Sequence, residues 1–211
     1  MKYYNHLAAL GTQYSLNYQL PRPHKVVDLI EEKFDFVKYN PRKDVDRWGL
    51  SLTSLDGTMS GIPDLDSLLE YNREHNTDYK EEDFDVPTLA YPYFKEVLRP
   101  FEPWLFRTHV LKLNAGGFFP PHRDALAGRS FRIVVPLKNC NPPSANFVVE
   151  DKILSWDIGR AYFVDTIKMH YIFNATSPEE NGKQYPSYWL IMNVKANEKS
   201  LEEMLYNLQY T

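Results

Sequence analysis

Two histidines and one aspartate carry the strongest chemical signal in this sequence: His122 and Asp124, within Pro120-Pro121-His122-Arg123-Asp124, and His170 farther along. Successive side chains alternate across a pleated strand, so residues two apart point to one face. If His122 and Asp124 share a strand, an imidazole and a carboxylate stand side by side, and His170 is the candidate for a third donor from another strand. Two imidazoles and a carboxylate on one face of an ion leave three adjacent coordination positions open. That donor set suits a non-haem Fe(II) at which oxygen is activated.

A His-x-Asp pair alone is weak, and its surroundings strengthen it. Residues 113–121 read as a strand end, a turn at Gly116-Gly117 and a short extended entry. Residues 132–137 form a β-prone run, residues 159–166 form another, and a short loop then delivers His170 to the start of a further strand. The competing readings are a surface turn histidine for His122 and a core histidine at a strand edge for His170. The joint order of turn and strands favours the metal. His6, His24, His75 and His109 lack that context; His109 lies on the strand before the glycine turn and reads better as packing. His122-Arg123-Asp124 also spells a protein-kinase catalytic triplet, but the Gly-rich phosphate loop, the spaced Asn and the Asp-Phe-Gly of that set are missing.

The 211 residues, 43% of them hydrophobic, suffice for a sizeable core. Twenty-four basic against 28 acidic residues give a net charge of −4 without a basic run, so nucleic acid is a poor partner. The N-terminus lacks a signal-peptide core and no run reaches membrane-spanning length, which leads us to expect a soluble cytoplasmic protein with no membrane partner. The single cysteine, Cys140, permits no intrachain disulfide and fits a reducing compartment. Within its turn-like Asn139 to Pro143 surroundings it reads as an incidental thiol rather than a nucleophile.

The elements that must position the three donors follow from periodicity. Residues 24–36 carry Val26, Val27, Ile30 and Phe34 at helical spacing. Residues 48–55 alternate as a strand and end in Asp56-Gly57. Residues 62–75 and 91–101 read as helices, separated by an acidic loop over 79–85. After Pro103 come six short strands, over 104–113, 131–137, 146–150, 161–165, 170–174 and 188–194, which argue for a β-sandwich or barrel. A closing helix over 200–208 puts Leu201, Met204, Leu205 and Leu208 on one face. We therefore expect a single domain over 1–211, mainly β with flanking helices. A helical and mixed N-terminal elaboration spans 1–103, a β core 104–195 and a C-terminal helix 196–211. The aromatic content of 15% is read as packing.

Taken together, Gly116, His122, Asp124, Arg132, residues 159–165, His170 and Asn174 resemble the Fe(II)/2-oxoglutarate-dependent dioxygenases. Within them the likeness is to the aspartyl/asparaginyl β-hydroxylase-like and free-proline hydroxylase group, over residues 104–195. The resemblance implies a double-stranded β-helix, a cupin-like jelly roll with the metal at one open end. It implies Fe(II) held by His122, Asp124 and His170, and 2-oxoglutarate as cosubstrate. It also implies hydroxylation of an amino acid, free or peptidyl, by molecular oxygen, with release of succinate and carbon dioxide. Aspartyl hydroxylases often lack the carboxylate ligand, so Asp124 brings this chain closer to the proline-hydroxylase form.

One departure stands out. Such enzymes anchor the far carboxylate of 2-oxoglutarate with a basic residue on the strand after the second histidine, and here Ser187 occupies that point. A dianion in a partly desolvated barrel needs a cation. Arg132 is the leading candidate, since it shares a face with Val134, can grip a carboxylate through two parallel hydrogen bonds and stands where the family contacts its cosubstrate. The alternative for Arg132 is an ion pair on an outward face. Ser187 can add a hydroxyl contact, and Lys183 can reach in from its loop. For a charged substrate, Arg123 and Arg160 are the candidates near the mouth. The rival function classes are a non-catalytic jelly-roll binding module and a cupin-type metalloenzyme that acts without 2-oxoglutarate.

Overall fold

β-branched and aromatic residues recur between turns from Leu105 onward, and strands dominate there. The computed structural model describes residues 2–38, 46–124, 127–177 and 185–208. In chain order, α1 (Lys2–Ala8), β1 (Gln13–Gln19), α2 (Pro23–Lys33), β2 (Val37–Lys38), β3 (Arg47–Ser51) and β4 (Thr53–Ser54) open the molecule. They are followed by α3 (Leu68–His75), β5 (Val86–Pro87) and α4 (Lys95–Leu98). The β-rich part comprises β6 (Leu105–Leu113), β7 (Phe118–His122), β8 (Ser130–Lys138), β9 (Ala145–Val149), β10 (Lys152–Ile153), β11 (Arg160–Val164), β12 (His170–Asn174) and β13 (Ser187–Lys195). The closing helix is α5 (Glu198–Tyr206).

The strands form a seven-stranded sheet, ordered β1-β11-β8-β13-β6-β3-β2, and a four-stranded sheet, ordered β10-β9-β12-β7, with β4 and β5 paired separately. Leu111, Leu113, Val134, Trp189 and Ile191 of the larger sheet pack with Phe147, Val149 and Ile172 of the smaller one. The other face of the larger sheet is covered by the helices, through Tyr4, Leu7, Val27, Ile30, Val97, Leu201 and Met204. Alternation along β13 therefore buries both of its faces, and eight of its nine residues are buried. This is a jelly roll flanked by helices, as the resemblance implies.

All six expected strands are present, and the sequence reading falls short mainly in the N-terminal part. Both edges of the larger sheet come from there: β1 pairs with β11, and the edge strand β2 pairs with β3, which pairs with β6. The helix expected over 62–75 begins only at Leu68. Before it, the carbonyls of Asp64 and Asp66 accept hydrogen bonds from the Arg107 guanidinium, so that backbone is committed to a side chain rather than to a helical turn. Over 91–104 the chain makes 3-10 turns around the four-residue α4. Pro92, Pro100 and Pro103 lack the amide hydrogens that a continuous α-helix needs. In α5, Asn197 and Ser200 form a reciprocal cap; Leu201 and Met204 face inward, whereas Leu205 is turned out. Residues 209–211 of the expected C-terminal stretch lie outside the described residues. Among the described residues no helix is long and apolar enough to cross a membrane.

Candidate metal centre

The two histidines meet because the smaller sheet registers them. His122, the last residue of β7, is paired with His170, the first of β12, and their ring centroids lie 4.1 Å apart. β7 is an edge strand, where Pro120 and Pro121 break no ladder on their open side. The preceding turn depends on glycine. Gly116 has φ 75°, and a Cβ on Gly117 would sit 2.8 Å from the Asn114 carbonyl. Asn174 holds this turn: its carbonyl accepts from Gly116, its amide donates to Gly117, and its Nδ2 donates to the Leu113 and Tyr185 carbonyls. That gives the Asn of the His-x-x-x-Asn pattern a physical task.

Asp124 is not on the strand with His122. β7 ends at His122, and Asp124 is instead held by its amide, which donates to the Thr166 carbonyl at 3.0 Å. Convergence is nonetheless achieved. One ligand atom from each of His122, Asp124 and His170 can be chosen so that all lie within 4.8 Å of one another. Asp124 Oδ1 is 3.5 Å from His122 Nε2 and 3.9 Å from His170 Nε2.

The hydrogen bonds behind these atoms suit a metal. His122 Nδ1 lies 2.8 Å from the Pro120 carbonyl and His170 Nδ1 3.0 Å from the Lys168 carbonyl. A carbonyl only accepts, so both Nδ1 atoms carry a proton, and the Nε2 atoms are the ones turned toward Asp124. Burial pushes His170 down to about 4, against the pull of Asp124 toward the charged form, so its ring is neutral near pH 7. Burial by itself would raise Asp124; Arg132, whose Nη2 is 2.6 Å from Oδ2, together with the two histidines holds it below the usual carboxylate range. One carboxylate oxygen is thus committed to arginine and the other is turned to the imidazoles. Two imidazoles and an ionised carboxylate are the donors that an Fe(II) site requires.

A cavity of about 410 Å³ opens beside this centre. Arg132 and Val134 both line it, so Arg132 faces inward and not outward as an isolated surface ion pair would. Arg123 also lines it, whereas Arg160 does not and instead pairs with Asp157 at 3.3 Å. Ser187 is fully buried at the start of β13 and is not part of the lining. Lys183 lies outside the described residues. Cys140 is a buried thiol that donates to the Lys138 and Tyr188 carbonyls, and burial pushes it up to about 12, which fits an inert role.

Several lining residues were not singled out from the sequence. His109 faces the cavity, contrary to the packing expectation; burial, then Arg132, Arg107 and Arg47, push it down to about 3. Arg107 has φ 43° at a bulge where β6 gains a residue against β13. The bulge aims its guanidinium at the 64–66 backbone and at Glu81, 2.7 Å away. Asp64, Asp66, Glu70 and Arg47 complete this N-terminal wall. The β-alternation of residues 48–55, extended by one residue, would have put Arg47 on the face of Gly49 and Ser51; no sequence signal marks the bulge at Arg107.

Residues 79–181 match the family described as aspartyl/asparaginyl beta-hydroxylase, a stretch that contains all three donors, Arg132 and Asn174. No curated protein matches the chain by sequence. Among solved structures, an oxidoreductase of the 2OG-Fe(II) oxygenase family from Burkholderia pseudomallei is similar with a TM-score of 0.50 and 13% identity, covering 93% of this chain and 91% of that one. At that identity the likeness speaks for the fold. A Pseudomonas putida prolyl-4-hydroxylase gives a TM-score of 0.45 at 12% identity, covering 93% and 98% of the two chains. An RmlC-like cupin from Shewanella frigidimarina gives 0.31 at 13%, covering 46% of this chain and 71% of that one.

Proposed function

We propose that the chain is a hydroxylase of the Fe(II)/2-oxoglutarate-dependent class whose metal is held by His122, Asp124 and His170, a reading supported by the match of residues 79–181 to the aspartyl/asparaginyl β-hydroxylases. The observation that carries the assignment is the convergence of their three ligand atoms within 4.8 Å at one end of the lined cavity. Bound together, Fe(II) and 2-oxoglutarate supply oxidative decarboxylation by molecular oxygen, to succinate and carbon dioxide, coupled to hydroxylation of a substrate carbon.

The protein's own groups orient and exclude. The Pro120 and Lys168 carbonyls fix the imidazole tautomers, and Arg132 fixes Asp124 through Oδ2 so that Oδ1 faces the histidines. Arg132 also stands beside the space in which a cosubstrate carboxylate would lie next to the metal. Leu111, Phe119, Val134, Phe147, Ile172 and Ile191 give the cavity apolar walls that keep water from the reacting atoms. The substrate is an amino acid, free or within a peptide. The acidic residues Asp64, Asp66 and Glu70 and the basic Arg123, all in the lining, support a substrate that carries charge of both signs. The proposal includes a single domain in which β1 and β3 are integral to the larger sheet, and a cytoplasmic setting, which the lone buried thiol of Cys140 supports.

The test is succinate release from 2-oxoglutarate with Fe(II) and oxygen. We expect turnover in the wild type and background only for His122→Ala, with the fold retained by circular dichroism. Equal rates for the two proteins would remove the metal assignment.

A further inference from the structure

Residues 165–168, between β11 and β12, carry the backbone partners of two of the three proposed ligands. The Thr166 carbonyl accepts from the Asp124 amide at 3.0 Å, and the Lys168 carbonyl lies 3.0 Å from His170 Nδ1. The placement of this stretch therefore sets where Asp124 enters the site and how the His170 ring is turned. Holding such a connection in one form costs backbone entropy, which contacts from elsewhere in the molecule must offset.

Those contacts come from residues 4–12. Tyr4 of α1, which has no exposed surface, donates from its hydroxyl to Asp165 Oδ1 at 2.8 Å, and the Ile167 amide faces the same hydroxyl. Burial, then Asp165, pushes the phenol well above its ordinary value, so it keeps the proton that it donates. Thr12, just before β1, holds both ends of the stretch. Its carbonyl accepts from the Asp165 amide at 2.9 Å, and its hydroxyl accepts from Lys168 Nζ at 3.2 Å. The Tyr4 ring is itself fixed, with its centroid 5.6 Å from that of Phe163 on β11 and 6.3 Å from that of Phe131 on β8. The phenol thus rests on the strand that leads into residues 165–168 and on the strand that carries Arg132.

We infer that Tyr4 is a positioning residue for the metal centre: by fixing residues 165–168 from the helix-covered side of the larger sheet, it sets the Asp124 backbone and the His170 ring. The inference rests on the hydroxylase reading above. It gives α1, which adds no side chain to the cavity lining, a task in the site.

The test is Mn(II) binding without oxygen, read by electron paramagnetic resonance, for wild type, Tyr4→Phe, Val27→Ala and His122→Ala, with urea melts of the metal-free proteins alongside. Tyr4→Phe keeps the ring and removes the hydroxyl. Val27→Ala truncates a fully buried side chain of α2 and serves as the control for lost stability. A positioning role predicts that Tyr4→Phe binds Mn(II) about threefold to tenfold more weakly and with a changed bound-state spectrum, a smaller effect than loss of a ligand's direct partner. Val27→Ala should bind Mn(II) as the wild type does, at a lowered urea midpoint. Wild-type affinity or an unchanged bound-state spectrum in Tyr4→Phe would overturn the inference alone, as would an equal loss of affinity in Val27→Ala. Failure of the wild type to bind Mn(II) more tightly than His122→Ala would overturn it together with the reading on which it rests.

Discussion

The two sheets of the jelly roll divide their tasks unequally. The seven-stranded sheet is covered on both faces, by helices on one side and by the smaller sheet on the other, and its central strand β13 is buried almost throughout. The four-stranded sheet is less evenly covered: β9 is buried throughout, but along β12 buried residues alternate with half-buried ones, and Phe118 of β7 is 42% exposed. Yet both imidazoles come from the thinner sheet, while Arg132, Arg107 and Arg47 come from the thicker one. The chemistry therefore sits at a seam. The thinner sheet supplies the imidazoles, and the thicker one supplies the charges against which they are set.

The first way to break that contrast is Trp189→Ala, at a fully buried position of β13. It should lower unfolding stability by about 3–5 kcal/mol, read from urea melts of the metal-free protein. A loss within the range of a surface change would mean that the larger sheet is not the rigid partner.

At the seam, Arg132→Met removes the group that holds Asp124 Oδ2. Metal affinity should fall about tenfold to a hundredfold in a Mn(II) titration, since a partner that orients a ligand commonly contributes that much. Undiminished affinity would show that Asp124 is positioned by its backbone contact to Thr166 alone. The smallest effect is expected on the open face of the smaller sheet. Phe118→Ala should stay within roughly 0.5 kcal/mol of the wild type, as surface substitutions do, and a core-sized loss there would erase the distinction between the sheets.

Much of this division was legible before any tertiary contact was known. The six strands after residue 104 declare themselves because β-branched and aromatic residues alternate between Gly, Pro and Asn breaks, which are local properties. His122, Asp124, His170 and Arg132 were legible for the same reason, since their order relative to a glycine turn and two strands is written along the chain. The N-terminal contribution was not. Arg47 gains its meaning from pairing with Leu113, 66 positions away, and Arg107 from a left-handed bulge that only the neighbouring strand reveals.

The sequence by itself thus determined the β-rich class and singled out the three proposed donors, because side-chain type and period-two alternation act over a few residues. Tertiary structure alone decided which cations stand around those donors. It buried Ser187, tied Arg132 to Asp124 and brought Arg47 onto Phe119. The physical reason is that strand register couples residues far apart in the chain, and a charge inside a barrel takes its role from whatever that register sets opposite it.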